Sequence, residues 1–167
     1  MTAVYLGVGS NIQPEHNIAL GLVKLQQSFQ VQAISPWYCS RARGFDGPDF
    51  INLVVQIEYV GEMAELAQTI KEIEFECGRE ENAAKFSSRQ LDIDILLFGD
   101  AVGRVAGIKL PRSDIFQCAY VLQPLLDIYP HGKDPKTGQL FAEFLPQVQQ
   151  QWLEPVAAKS VHTDPQL

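Results

Sequence analysis

Ser87-Ser88-Arg89-Gln90-Leu91-Asp92-Ile93-Asp94-Ile95-Leu96-Leu97-Phe98 begins polar and basic, then turns into a strand. Leu91, Ile93, Ile95 and Leu97 fall on alternate positions, the period of a strand with one face in a core. Asp92 and Asp94 therefore point together to the opposite face. Two residues of strand rise about 7 Å, so one small cation, or two neighbouring ones, can touch both carboxylates. Hard oxygen ligands of this kind suit Mg²⁺, which completes its shell with water and phosphate oxygens. Arg89, just ahead of the strand, is a planar cation shaped for phosphate. The plain alternative is a solvated strand face screened by Arg89, and an isolated D-x-D is too short to exclude it. Yet Asp is depleted in strands, and two of them inside an apolar run ask for a reason.

Upstream, residues 3–9 read as a first strand that ends in Ser10-Asn11. Its Gly7-x-Gly9 lacks the third glycine and immediate helix of a dinucleotide loop. Pro14 opens a helix with Ile18, Leu22, Leu25 and Phe29 on one side. A second strand is expected over 31–38, with Pro36 marking an edge or bend. A Gly-, Pro- and Asp-rich loop over 40–49 leads to a third strand, 50–57, in which Phe50 and Asn52 share a face. A second helix carries Met63, Leu66, Ile70, Ile73 and Cys77 and stops at Gly78. Residues 79–90 read as a loop that returns the chain to the Asp92/Asp94 strand.

The order β-α-β-β-α-β is that of an α+β, ferredoxin-like sandwich: an antiparallel-dominated sheet with its helices on one face. Asn52, Asp92 and Asp94 would meet on the other face, under flexible loops. Such a fold does not dictate a function. Downstream, a hairpin is expected over 101–110 and a helix start at 111–114. An apolar segment over 120–128 is broken by Pro124, a last short helix over 140–153 is interrupted by Pro146, and a frayed tail follows from Glu154. The expected organisation is one catalytic domain, 1–154, with a C-terminal tail, 155–167.

A chain of 167 residues with 46% hydrophobic and 20% charged residues suits one domain with a real core. Its net charge of −7 argues against a general nucleic-acid or membrane binder. Cys39, Cys77 and Cys118 are odd in number and without metal-type spacing, as expected of reduced thiols in the cytoplasm. The first residues lack the basic and apolar regions of a signal peptide. His16, His131 and His162 are far apart, which disfavours a His-based metal site. No G-x-x-x-x-G-K-[ST] occurs, which disfavours a P-loop ATPase. A metal-dependent phosphohydrolase or nucleotidyl-transferase on a similar sheet would also suit the two carboxylates, and would consume ATP without a second substrate.

Several of these stretches together resemble one family. They are Gly9-Ser10-Asn11, Phe50-Ile51-Asn52, Gly78-Arg79, Arg89-Gln90-Leu91-Asp92-Ile93-Asp94-Ile95-Leu96-Leu97-Phe98-Gly99, Leu110-Pro111 and Pro124-Leu125. In this order and spacing they resemble 6-hydroxymethyl-7,8-dihydropterin pyrophosphokinase over about the first 130 residues. The resemblance implies transfer of diphosphate from ATP to the hydroxymethyl group of a reduced pterin, releasing AMP, in folate biosynthesis. It also implies two Mg²⁺ ions and three flexible loops. Partners are then ATP and the pterin, with no nucleic acid or membrane, and a monomer is the expected state.

Carried over residue by residue, Asp92 and Asp94 would hold the Mg²⁺ ions, with Arg79 and Arg89 on the phosphates as further catalytic groups. Asn52 would hydrogen-bond the pterin edge, Phe50 and Tyr120 would lie against its ring, and Ser40, Ala42 and Arg43 would line its pocket. Lys71, Glu74, Phe86, Ile95 and Arg112 would join Arg79 and Arg89 around ATP. Each has a blander reading: core aromatics for Phe50 and Tyr120, a solvated helix pair for Lys71 and Glu74, a satisfied strand edge for Asn52. The chain also departs from the family pattern. Phe86-Ser87-Ser88 replaces a Trp-Gly-Pro, Glu81 and Cys118 stand where arginines are expected, and Arg112 replaces a His. These changes motivate the alternative of a weakened paralogue that binds pterin or nucleotide without transfer. Arg112, Arg41, Arg43 or Lys85 are the candidates to restore the lost positive charge.

Overall fold

The computed structural model describes residues 1–78 and 90–156. Four strands form the frame of the main sheet: β1 (Thr2–Ser10), β2 (Gln30–Ile34), β4 (Phe50–Tyr59) and β5 (Asp92–Phe98). Between them run α1 (Pro14–Ser28) and α2 (Met63–Glu76). The short β3 (Tyr38–Ser40) follows β2, and both pair with one edge of β4. The order is β5-β1-β4-β3-β8, every pair antiparallel, where β8 (Leu153–Pro155) is the last described strand. This is the ferredoxin-like arrangement expected from the sequence. The single strand expected over 31–38 is two. Pro36 has no N–H for the ladder, and Ser35 fills the break by accepting the Val54 N–H on its Oγ at 2.9 Å.

Two cores sandwich the sheet. Val4, Leu6 and Val8 of β1, Ile51, Leu53, Val55 and Ile57 of β4, and Ile93 and Ile95 of β5 pack under α1 and α2. Helix α2 starts in a capping box made by Glu62 and Glu65. It stops at Gly78, whose φ of 95° suits glycine alone. The alternate residues face the other way. Tyr5, Val54, Leu96 and Leu97 form a second core with α3 (Asp114–Gln117), α4 (Ala119–Ile128), a 3-10 turn (Phe141–Phe144) and α5 (Leu145–Val148). Helices therefore cover part of the second face too, not one face only. The apolar side chains that period two sends there need cover.

Three further expectations are corrected. Leu97 does not share a face with Ile93 and Ile95: Tyr5 pairs with Leu97 but Leu6 with Ile95, so Leu96 is the extra residue of a β-bulge and the alternation flips after it. Pro124 does not break its segment but lies inside α4, and Pro146 falls in the first turn of α5, where its missing N–H costs nothing. The chain is not frayed from Glu154. Residues 153–155 pair with β3, and the Val156 N–H donates to the Trp37 carbonyl at 2.9 Å. The expected hairpin is β6 (Gly103–Val105) with β7 (Ile108–Leu110), turned at Ala106 and Gly107, both at positive φ. Among the described residues, no helix is long and apolar enough to cross a membrane.

Candidate active site

On the second face, where the helices stop short, β1, β4 and β5 floor a cavity of about 280 Å³. Gly7 and Gly9 of β1 lie at its centre, flanked by Asn52 of β4 and by Asp92 and Asp94 of β5. The period of two explains the grouping: Gly9 pairs with Asn52 on one side and Asp92 on the other, so all three project into one space. Gly9 is required there, since a Cβ would stand 2.5 Å from the Asn52 Oδ1. Asn52 is buried and donates from Nδ2 to the Ser40 Oγ at 2.7 Å. Phe45 meets Phe50 edge to face, with centroids 6.3 Å apart, at this neutral end of the cavity.

The other end is charged. Arg112 faces Asp94 at 3.7 Å and holds Asp114 at 3.3 Å through its Nε. Its own backbone N–H is fixed on the Leu96 carbonyl at 3.0 Å, next to the bulge. The Asp94 carboxyl is hemmed in by protein although it faces the cavity. This burial, with the Asp92 charge next to it, pushes its pKa up to about 7 against the pull of Arg112. From the opposite side of the sheet, the buried Glu74 of α2 accepts the Ile93 N–H on Oε2 at 2.7 Å, pinning the strand between the two aspartates.

The rim is loop 41–49 on one side and the start of α4 on the other. Arg41 pairs with Asp49 at 3.5 Å and lies 4.3 Å over the Trp152 ring. Asn11 donates to the Pro48 carbonyl at 3.2 Å, holding the far end of the loop. Arg43 crosses to α4, where its Nη1 donates to the sulfur of the fully buried Cys118, beside Tyr120. Gln151 clasps the turn below: it accepts the Ala119 N–H and donates to the Gln117 carbonyl, both at 2.8 Å.

The cavity thus has a neutral end with an amide and aromatic rings, and an acidic end. Residues 5–130 match the model of the 7,8-dihydro-6-hydroxymethylpterin-pyrophosphokinase (HPPK) family. The chain belongs to the HPPK family. It is 35% identical over 149 residues to 2-amino-4-hydroxy-6-hydroxymethyldihydropteridine pyrophosphokinase of Aquifex aeolicus, covering 88% of this chain and 92% of that one. It is 33% identical over 155 residues to the protein of the same name from Synechocystis, covering 91% and 79%. HPPK-DHPS A437G of Plasmodium falciparum, solved with STZ-DHP, superposes with a TM-score of 0.67 at 12% identity over 87% of this chain, a likeness of fold alone. The chain spans only 45% of that longer protein. HPPK membership makes the chain an enzyme, with ATP-dependent pyrophosphoryl transfer to a hydroxymethyldihydropterin in folate biosynthesis as its activity.

Of the HPPK site residues expected from the sequence, Ser40, Arg43, Phe50, Asn52, Asp92, Asp94, Arg112 and Tyr120 line the cavity. Ala42 is half-buried in loop 41–49 beside it. Ile95 is buried in the core beneath the helices, Lys71 is exposed on α2, and Glu74 accepts the Ile93 N–H between the two aspartates. Arg79, Phe86 and Arg89, and with them Glu81 and Lys85, lie outside the described residues. Reasoning from sequence missed Phe45 and Asp114 as wall residues. Asp114 was readable only as the residue that begins a helix after Pro111-Arg112.

Proposed function

We propose that Asp92 and Asp94 carry two Mg²⁺ ions for this transfer, and that the Asn52 end of the cavity holds the pterin. One observation carries the reading: two carboxylates and a buried carboxamide project from adjacent strands into one cavity whose floor is glycine. The donor set fits the metal, since two carboxylate side chains at one end of a cavity match the few protein oxygens that Mg²⁺ takes. Held by Asp92 and Asp94, the ions would supply positive charge against the phosphates and would lower the pKa of the attacking hydroxyl.

The chain's own residues then bind and orient. Asn52, oriented by its bond to Ser40, offers both a donor and an acceptor to the pterin edge. Phe50 and Tyr120 offer ring faces to the flat substrate. Arg112, paired with Asp94 and Asp114, lines the charged end of the cavity and would offer a planar cation to a phosphate there. The hydroxyl oxygen attacks the β-phosphorus and AMP leaves, so catalysis rests on positioning and charge stabilisation. The free thiols Cys39, Cys77 and Cys118 support a reducing, cytoplasmic setting, and we read the acting unit as a monomer.

AMP release from ATP, Mg²⁺ and 6-hydroxymethyl-7,8-dihydropterin tests this, with controls that omit each in turn. AMP is expected only with all three present. AMP formed without pterin would favour a hydrolase. No AMP, with pterin still bound in calorimetry, would favour the binding-only paralogue that Cys118 and Glu81 motivate.

A further inference from the structure

Among the described residues, three cations line the cavity: Arg41, Arg43 and Arg112. Two of them are neutralised by carboxylates. Arg41 is paired with Asp49, and Arg112 with Asp94 and Asp114. Arg43 makes no ion pair within the described residues. Its guanidinium end sits against the Cys118 sulfur and beside the Tyr120 hydroxyl. Burial pushes the Cys118 thiol above its ordinary range, so the sulfur does not pair the arginine with a full charge, and the Asp114 carboxylate, already held by Arg112, acts on it without an ion-pair contact. An arginine that reaches 75 residues along the chain to a thiol gains only a weak acceptor for a strong donor. Most of its fork of donors remains for something else.

The placement tells what that is. Arg43 reaches from loop 41–49 to the α4 side of the cavity, which Tyr120 lines with Cys118 buried behind it, and the Asp114 charge acts on both Arg43 and Arg112. Arg43 thus lines the same cavity as Asp92 and Asp94. We propose that the Arg43 side chain is an anion-contacting group of this site, which binds the diphosphate moved between ATP and the pterin, and that Cys118 and Tyr120 are the neutral cradle that holds its guanidinium in place. The sequence offered four cations as replacements for the lost charge; among the described ones, Arg43 is the one that no carboxylate pairs with. The inference rests on the proposed reading of the site, because the anion is taken to be a diphosphate.

Arg43→Met keeps an unbranched apolar stem and removes the guanidinium with its charge, and Arg43→Lys keeps the charge. Steady-state AMP release should show Arg43→Met with an ATP KM raised, or kcat lowered, by roughly tenfold, while the pterin KM stays within about twofold. Arg43→Lys should recover most of the loss. Calorimetry with inorganic pyrophosphate and Mg²⁺ should show binding to the parent protein that weakens about tenfold in Arg43→Met. An Arg43 that merely pins loop 41–49 to α4 would raise both KM values together and leave pyrophosphate affinity unchanged; either result overturns the proposal. If the parent protein releases no AMP, the proposed function fails, while the pyrophosphate titration still decides the role of Arg43.

Discussion

Gly9 and Asn52 show how little freedom the cavity floor has. Replacing Gly9 by Ala puts a methyl group 2.5 Å from the Asn52 Oδ1, and the carboxamide must leave its bond to Ser40. Gly9→Ala should raise the pterin KM by roughly tenfold, the value of about one hydrogen bond, with the ATP KM little changed. Asp94 gives a pH signature. Its folded-state pKa is raised to about 7 from the 3.8 of a free side chain, so the folded protein holds this proton more tightly than the unfolded chain. The stabilisation is complete below about pH 4 and lost as pH rises through about 7, so metal-free protein should melt lower at pH 8 than at pH 6. Metal binding needs the ionised carboxylate, so the rise in Tm on adding Mg²⁺ should be larger at pH 8 than at pH 6. Thermal melts with EDTA and with Mg²⁺ at both values check the two signs. The floor residues Asn52, Asp92 and Asp94 were legible in sequence because the strand period alone places their side chains. Arg43 was named through the family resemblance, but its direction was not legible: it is set by Cys118, a partner no local pattern names.

At the scale of elements, β5 is an edge strand whose outer N–H groups need partners, and Glu74 supplies one from α2. This gives a buried helix carboxylate a bond to the strand between Asp92 and Asp94. Glu74→Ala leaves the Ile93 N–H without this acceptor and should cost about 1–3 kcal/mol of stability by denaturant titration, with kcat reduced as the aspartates lose their register. Glu74→Gln retains an acceptor oxygen and should lose much less. The sequence showed Glu74 on a helix three residues from Lys71, a spacing equally good for a surface pair, and only the packing of α2 onto β5 separates the two. The bulge at Leu96 was hidden for a related reason. Nothing in Ile95-Leu96-Leu97 marks the extra residue, which exists only relative to the register of β1.

Over the whole molecule, the family match ends at residue 130, but the fold does not. Phe141 is fully buried among Tyr129, Phe116 and the rest of the second core, and β8 closes the sheet beyond β3. A chain cut after residue 130 loses Phe141, Val148, Gln151 and β8 together. It should melt without a cooperative transition or far below the parent, as followed by circular dichroism; an unchanged Tm would show that these residues are an appendage. Sequence periodicity read the βαββαβ frame well, since each of its elements carries its own apolar stripe. The closure of the second face was read only as turns and fragments, because its pieces are too short to show a period and take their meaning from the surface they cover.

The glycine floor has a consequence for how such a site can change over generations. Gly7 and Gly9 alternate with Leu6 and Val8, which are buried in the main core on the reverse of the same strand, and β1 is bonded on both sides. A substitution that reshapes the floor therefore disturbs the most cooperative part of the molecule. Loop 41–49 is held by a few contacts, from Arg41, Arg43 and Asn11, and lies outside both cores. Arg43 stands on it, so a lineage has room to move charge onto this loop while the chemistry below stays still.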